Sequence, residues 1–280
     1  MDEQSDGKDS LGVDGLLPVD EHVEEVAEGD KKVHRKGVYL LPNLLTTGSL
    51  FCGFYAIVSV MAAEPNYNAA AIAIFVAMIL DGLDGRVARL INAQSKFGAE
   101  YDSLSDMVSF GVAPALVSFS WALNELGKVG WMIAFIYAAC AALRLARFNT
   151  QIETADKRYF TGLNSPSAAA LVAGMVWSFS DFGVDGSTIA VALLAALITG
   201  LAGVLMVSNF RYHSFKQLDL RGRVPFIFII IVVLIFAVVF TDPPRVLLIV
   251  FLIYACSGPV MSIVRVGGTT SIEEPEENNH

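Results

Sequence analysis

Long apolar stretches without any charged residue recur along the chain, separated by short polar segments. A helix needs roughly 20 apolar residues to cross a bilayer, and fewer where flanking polar side chains complete its ends. Repeated stretches of this length indicate membrane-spanning helices rather than the buried helices of a soluble protein. We therefore predict eight crossings, over residues 37–63, 65–80, 107–123, 129–143, 161–180, 186–210, 224–241 and 246–264.

The composition agrees with this pattern. Hydrophobic residues make up 54% of the 280 residues, and the mean hydropathy is +0.56, which is too apolar for an ordinary soluble domain. The predicted fold class is all-α, a polytopic integral membrane protein. Because the first thirty residues carry eleven acidic residues, we expect a disordered acidic tail at 1–30, a transmembrane catalytic domain at 31–266 and a second disordered acidic tail at 267–280. We expect no cleavable signal peptide.

Lysine and arginine are distributed unevenly between the connections. If the N-terminus is cytoplasmic, seventeen of the nineteen basic residues lie on the cytoplasmic side, and only Lys128 and Arg245 lie outside. Basic connections mark the cytoplasmic face of a membrane protein. We predict a multi-pass protein of the inner (plasma) membrane with both termini cytoplasmic. The net charge of −9 arises largely in the tails, and no nucleic-acid partner is expected.

One polar segment, DGLDGRVARLINAQSKFGAEYDSLSD, places four aspartates at the margin of apolar stretches. At helical spacing, Asp81 and Asp84 share one face of a helix, and Asp102 and Asp106 share a face of the next. A short polar bend at residues 92–96 predicts that these helices are antiparallel neighbours. The two carboxylate pairs are then expected to converge at the cytoplasmic side.

Four converging carboxylates repel one another unless cations lie between them. Neither the three cysteines nor the four histidines cluster in the sequence, so the ligands are oxygen atoms, which favours Mg²⁺ or Mn²⁺ over zinc. Such sites leave coordination positions for phosphate oxygens, which indicates phosphoryl-type chemistry with two metal ions. A cation-coupled or proton-coupled transporter is the alternative from a different class, because intramembrane acids are also typical of transporters.

This segment resembles the signature of the CDP-alcohol phosphotransferases, integral membrane enzymes of phospholipid synthesis. The resemblance implies the fold of that family, a homodimer, and two metal ions bound by the four aspartates, with Asp106 also the general base. It implies further that the small residues accommodate the cytidine and that Arg89 contacts the nucleotide or orders its site. The residues that match are Asp81, Asp84, Gly85, Ala88, Arg89, Gly98, Asp102 and Asp106.

Two further pairs of polar residues are candidates for substrate contacts. Asn43 and Thr46 begin the first predicted helix near the level expected for the aspartates, where they could hydrogen-bond the nucleotide; a role in starting the helix is the alternative. Arg144 and Arg147 lie three apart near the cytoplasmic end of the fourth predicted helix. They are candidates for the lipid-side phosphate or an acceptor carboxylate, since guanidinium groups bind both.

Four other stretches resemble bacterial members of the family whose acceptor is L-serine: LPNLLTTGSLFCGFYAI, ALRLARFN, YFTGLNSPSAAA and SNFRYHSFK. The expected reaction transfers the phosphatidyl group of CDP-diacylglycerol to L-serine, giving phosphatidylserine and CMP, with membrane lipids surrounding the enzyme. The chain departs from those members at Asn164 and Ser167, where they commonly have proline and alanine. A sister enzyme acting on glycerol 3-phosphate or inositol phosphate is the nearest alternative.

Overall fold

The structure is a computed structural model, and it describes residues 25–28, 31–34, 40–91, 95–151, 159–213 and 226–268. The chain divides into two units, Met1–Val38 and Tyr39–His280. All helices of the described segments belong to the second unit.

The first unit contains an antiparallel strand pair, β1 (Glu25–Glu28) and β2 (Lys31–His34). Its register pairs Glu25 with His34 and Glu28 with Lys31. β1 lies within residues 1–30, for which a disordered acidic tail was predicted, and the predicted division of the chain stays a prediction. The rest of the predicted N-terminal tail, and the predicted C-terminal tail from residue 269 onward, lie outside the described residues.

Helices account for most of the second unit, which agrees with the predicted class. They are α1 (Leu40–Met61), α2 (Tyr67–Leu90), α3 (Lys96–Asp106), a π-helix (Met107–Val112), α4 (Ala113–Trp121), a 3-10 turn (Leu123–Leu126), α5 (Lys128–Gln151), α6 (Ser165–Asp181), α7 (Ile189–Val207), α8 (Phe226–Thr241) and α9 (Pro243–Gly268).

Several helices extend past the charge-free runs from which they were predicted. The second run ended at residue 80, whereas α2 continues to Leu90, and the fourth ended at 143, whereas α5 continues to Gln151. Charged residues close an apolar run but do not end a helix, since arginine and lysine are good helix formers. Both acids of α2 and both predicted substrate arginines therefore lie within regular helix.

Among the residues that the structure describes, five helical segments are long and apolar enough to cross a membrane. These segments confirm the prediction of a multi-pass membrane protein. α6 and α8 have 17 and 16 described residues, which is short against the roughly 20 needed, and α2 carries two aspartates and two arginines. The count of eight crossings therefore stays a prediction. The five segments are Leu40–Met61, Lys96–Trp121, Lys128–Thr150, Ile189–Val207 and Pro243–Ser262.

α6 lies at the centre of the packed helices. Twelve of its seventeen residues are buried, and it packs against α2, α4, α7 and α9. Small residues make this possible, because the run Ala168–Ala170 and Gly174 let neighbouring backbones approach closely. This central helix begins at the cytoplasmic end of the predicted topology, next to the two substrate arginines described below.

α1 is the main packing partner of both α2 and α3. The two acid-bearing helices were predicted to be direct antiparallel neighbours, but they make little backbone contact with each other. The physical reason is a cavity between them, which is lined by α1, α2 and α3. Small residues on the facing surface of α2, Gly85 and Ala88, leave this space open.

The connection after Asp106 is a π-helix rather than a continuous α-helix. Short π-helical segments are rare and are frequently found at functional sites. The hydroxyl of Tyr137 on α5, which is fully buried, donates to the carbonyl oxygen of Phe110 within this segment at 3.1 Å. The irregular backbone is thus tied to α5 immediately beyond the last aspartate.

A second short strand pair joins the segment before α6 to the segment after α7. β3 (Tyr159–Thr161) pairs antiparallel with β4 (Arg211–His213), and the all-α prediction did not include it because strands of three residues have no readable period. Gly162 continues the pairing through a bond from its amide to the Phe210 carbonyl at 2.8 Å. Its φ of 81° is one that residues with a side chain rarely adopt.

Asn164 and Ser167, where the chain departs from the bacterial family members that use L-serine, have a clear structural role. Asn164 is the N-cap of α6, and its side-chain oxygen accepts a hydrogen bond from the Ser167 amide at 2.8 Å. Asparagine is among the best N-cap residues because its side chain satisfies an amide that has no partner within the helix. The start of the central helix is therefore fixed by a cap.

Candidate active site

Three of the four predicted acids come together. One carboxylate oxygen of each of Asp81, Asp102 and Asp106 lies within 4.8 Å of the others. Asp81 comes from α2, whereas Asp102 and Asp106 lie one turn apart on α3, as their spacing of four requires. Three carboxylate oxygens this close together could hold a metal ion, and carboxylate oxygens are the ligands that Mg²⁺ prefers.

Asp84 lies outside this group of three. Its carboxylate is buried, with 5% of the residue exposed, and Oδ2 accepts a hydrogen bond from the Thr46 hydroxyl at 2.8 Å. The prediction gave Asp84 the same role as the other three acids. In the structure Asp84 lines the cavity, as Asp102 also does, and it is bonded to Thr46 of α1. Its role as a metal ligand stays a prediction.

The cluster contains polar atoms that the described part of the protein leaves unsatisfied. Oδ1 of Asp102 and Oδ1 of Asp106 are buried and accept no hydrogen bond. A buried carboxylate oxygen without a partner is unfavourable. Two further aspartates lie nearby, so like charges are also close together. A bound divalent cation would satisfy both oxygen atoms, so the residues present fit the metal ions that the sequence implies.

A cavity of about 500 Å³ adjoins the acids. All six residues predicted to contact the nucleotide line it, and it is of a size typical for small-molecule sites. Sequence reasoning missed four of its residues, Pro42, Ser95, Lys96 and Ala99. The predicted residues along its wall are Asn43, Thr46, Gly85, Ala88, Arg89 and Gly98.

Two glycines shape the wall in different ways. A Cβ atom at Gly85 would meet nothing within 4 Å, so a side chain there would project into the cavity. At Gly98 a Cβ atom would lie 3.1 Å from the Ser95 hydroxyl and 3.6 Å from the Asn43 side-chain oxygen. Gly85 therefore preserves volume, whereas Gly98 preserves the contact between the start of α3 and α1.

The start of α3 is fixed by a side-chain cap that sequence reasoning missed. Ser95 is the N-cap residue, and its hydroxyl oxygen accepts a hydrogen bond from the Gly98 amide at 2.8 Å. Serine three residues before a helical glycine is a recognisable helix start. On the opposite wall, Nε of Arg89 donates to the Gly85 carbonyl at 2.8 Å, which lays the arginine along α2.

The two predicted substrate arginines do not line this cavity. Nη1 of Arg144 donates to the Ser165 hydroxyl at 3.1 Å, and Nη2 of Arg147 donates to the Asn209 side-chain oxygen at 3.0 Å. Nε of Arg144 is buried and makes no hydrogen bond within the described structure. Arg144 lies near enough to Asp106 for their opposite charges to interact.

Comparison with known proteins identifies the class. A sequence model of the family described as CDP-alcohol phosphatidyltransferase matches residues 39–207, which include the acid cluster, the cavity wall and both arginines. The chain belongs to the CDP-alcohol phosphatidyltransferase family. This agrees with the resemblance found in the aspartate segment.

Individual relatives carry a more specific name. The CDP-diacylglycerol–serine O-phosphatidyltransferase of Helicobacter pylori strain J99 is 37% identical over 233 residues, covering 82% of this chain and 94% of the relative. The Bacillus subtilis strain 168 protein of the same name is 36% identical over 177 residues, covering 63% and 92%. The Mycobacterium bovis protein of that name is 40% identical over 182 residues, covering 62% of each chain.

Proposed function

We propose that the protein transfers the phosphatidyl group of CDP-diacylglycerol to L-serine and releases CMP. The observation that carries the proposal is the acid cluster opening onto a cavity whose wall contains all six residues predicted for the nucleotide. The similarity to relatives named for this reaction, which extends over most of the chain, supports L-serine as the acceptor.

Two Mg²⁺ or Mn²⁺ ions are the proposed cofactors. Asp81, Asp102 and Asp106 would hold them together with Asp84, whose carboxylate faces the same cavity. When bound, the ions supply positive charge that neutralises the diphosphate of the donor and the phosphate of departing CMP. The two oxygen atoms of Asp102 and Asp106 that lack hydrogen bonds support this assignment.

The side chains of the protein orient the donor and activate the acceptor. The cytidine occupies the cavity beside Gly85, Ala88 and Gly98, where Asn43 and Arg89 supply polar contacts. Asp106 accepts the proton of the serine hydroxyl as general base. The serine oxygen forms a bond to the phosphorus that carries diacylglycerol, and the bond from that phosphorus to CMP breaks.

Arg144 and Arg147 are the proposed contacts for the serine carboxylate or the lipid-side phosphate. Each makes one hydrogen bond to a neighbouring side chain, and a guanidinium group has five N–H donors, so donors remain for an anion. The electrostatic interaction of Arg144 with Asp106 supports placing the acceptor next to the base.

The site is proposed to face the cytoplasm from the inner membrane. This orientation is supported by the basic residues of the connections, which favour the cytoplasmic side. It lets the acyl chains of the donor stay in the lipid while serine arrives from the water. We also propose a homodimer, which cross-linking in native membranes followed by mass measurement would test.

The proposal is tested by measuring CMP release from CDP-diacylglycerol with the full-length protein purified in detergent. Release is expected only when L-serine and a divalent cation are both present. Equal release with glycerol 3-phosphate or inositol phosphate in place of serine would assign the protein to a sister activity. Absence of CMP release with every acceptor, in protein that remains folded, would contradict an enzymatic function and favour a transporter.

A further inference from the structure

The buried face of α1 consists of small and hydroxyl-bearing residues. Thr46, Ser49, Gly53, Ala56 and Val60 recur at spacings of three and four residues, so they lie along one stripe of the helix. Small residues let helices approach closely within a membrane, and buried hydroxyls there need hydrogen-bond partners. The Thr46 and Ser49 hydroxyls donate to α2, and their backbone carbonyls accept hydrogen bonds from Ser105 of α3 and Ser109 of the π-helix.

The first connection, here called the first rung, runs from α3 through α1 to α2. The Ser105 hydroxyl donates to the Thr46 carbonyl at 3.1 Å, and the Thr46 hydroxyl donates to the Asp84 carboxylate at 2.8 Å. All three residues are buried, with 1%, 4% and 5% of their surface exposed. One turn of α1 thus holds a point on α3 and a point on α2 at the same level.

The second rung repeats this arrangement one turn further along. The Ser109 hydroxyl donates to the Ser49 carbonyl at 3.0 Å, and the Ser49 hydroxyl donates to the Ala77 carbonyl at 3.1 Å. Beside it, a Cβ atom on Gly53 would lie only 2.7 Å from the Ser109 Cα. The two backbones are therefore in direct contact here, which fixes their separation as well as their register.

Serine and threonine in helices usually bond to a carbonyl of their own helix four residues earlier. Three hydroxyls near the acids do so: Ser103 bonds the Ala99 carbonyl at 3.1 Å, Thr47 the Asn43 carbonyl at 2.7 Å, and Thr46 the Pro42 carbonyl at 3.1 Å, each in addition to a contact with another helix. The rung serines instead direct their hydroxyls to a backbone carbonyl of another helix. A serine hydroxyl that bonds a backbone carbonyl of another helix connects the two backbones directly.

The rungs surround the acids. On α2 they end at Ala77 and Asp84, which lie on either side of Asp81, and on the opposite segment they begin at two serines on either side of Asp106. A slip of one residue along a helix displaces a side chain by about 1.5 Å. That displacement is large compared with metal–oxygen bonds of about 2.1 Å.

We propose that the two rungs are positioning elements that set the register between Asp81 and the Asp102–Asp106 pair, and with it the affinity of the site for divalent cations. The inference rests on the proposed function in that it takes the aspartates to be metal ligands. Ser105, Ser109 and Ser49 touch neither the metal nor the substrate in this scheme. They act only through the placement of the acids.

The test compares rung variants with a matched variant on α4, which also bonds to α1. Ser120 of α4, roughly 20 Å from the rung serines along the helical path, donates its hydroxyl to the Val60 carbonyl of α1 at 3.1 Å, and the Tyr67 hydroxyl lies 3.5 Å from the Ser120 hydroxyl oxygen. Ser120→Ala therefore removes a hydrogen bond of the same kind to α1, together with this longer contact, far from the acids. Ser105→Ala, Ser109→Ala and Ser49→Ala remove bonds within the rungs, and each tests the inference independently if another variant fails to fold.

The primary measurement is Mn²⁺ binding to the purified full-length protein. Electron paramagnetic resonance detects the ion that remains free. The rung variants are expected to weaken Mn²⁺ binding about 10- to 100-fold, the loss typical for residues that orient metal ligands. Ser120→Ala is expected to bind Mn²⁺ like the wild type while losing a similar amount of thermal stability. Equal Mn²⁺ affinity in all four variants, or an equal loss in Ser120→Ala, would overturn the inference.

Measuring CMP release distinguishes a failure of this inference from a failure of the proposed function. In the rung variants, the Mn²⁺ concentration for half-maximal release is expected to rise in parallel with the binding constant, while the KM for serine stays the same. If the wild type binds Mn²⁺ but releases no CMP, the proposed function fails, and the binding comparison still decides on the rungs. A wild type that binds no Mn²⁺ would overturn the inference as well.

Discussion

The acid cavity and the arginine pair differ in what holds them in place. Asp102 and Asp106 each keep a buried oxygen without a hydrogen bond in the described structure. Arg144 and Arg147 are each bonded to a polar side chain of another segment, Ser165 or Asn209, and Nε of Arg144 is the buried atom of this pair without a partner there. The acid cluster thus leaves two buried oxygen atoms open to a ligand, whereas side chains of the protein orient both arginines.

The largest effect is expected from removing one carboxylate of the cluster. Asp106→Asn keeps the shape of the side chain but removes the proposed base and a metal ligand, and CMP release should fall by at least about 100-fold. Asp185→Asn is the matched control, because that aspartate is exposed in the loop before α7 and its side chain bonds only Ser187 in the described structure. Near-normal turnover by Asp106→Asn would refute the assignment of the base.

Metal removal should destabilise the acid cavity and leave the arginine pair unaffected. A ligand present at about 100 times its dissociation constant stabilises a folded protein by about 2.7 kcal/mol. Chelation is therefore expected to lower the melting temperature of the wild type in detergent, because repulsion among the acids is no longer balanced. The same chelation should change the melting temperature of Asp102→Asn far less; an equal shift in both proteins would show that the cluster holds no metal.

The arginine pair should respond to loss of its protein partners. Arg147→Lys retains the charge but loses the planar fork, and the KM for serine is expected to rise about 10-fold with a smaller change in kcat. Asn209→Ala, which releases Arg147 without altering it, should raise the same KM by a smaller factor. An unchanged KM for serine in both variants would exclude Arg147 from the acceptor site.

The smallest effect is expected at the cap of the central helix. Asn164→Ala removes the hydrogen bond to the Ser167 amide and should cost about 1 kcal/mol of stability, measured by thermal unfolding in detergent. Metal binding should not change, because the cap belongs to the arginine region of the fold. Asn164→Asp, which can still accept the same bond, is expected to retain most of the stability.

Much of the acid cavity could be predicted from the sequence because its residues lie on helices that are consecutive in the chain. Spacings of three and four residues fix which side chains share a face, and this places Asp102 beside Asp106. The pairing of Asp84 with Thr46 could not be predicted in this way, because it depends on the rotation of α1 about its own axis. No local pattern records that rotation.

The hydrogen-bond partners of the two arginines were harder to predict from the sequence. Their spacing identified Arg144 and Arg147 as candidates, but their partners lie 21 and 62 residues away in sequence. Those partners are positioned by the three-residue pairing of β3 with β4 and by the glycine turn at Gly162. Such short contacts between distant segments leave no periodic signal.

The wall of the cavity comes entirely from residues 42–102, whereas the arginines and their partners come from residues 144–209. We expect this separation of the cavity from the arginines to influence how members of the family come to use different acceptors. Under the proposed assignment, a family member could change its acceptor alcohol through substitutions in the later helices. Its first three helices would continue to bind the same CDP-activated lipid. Chimaeras that join the first three helices of this chain to the later helices of a relative with a different acceptor should therefore inherit the acceptor of that relative.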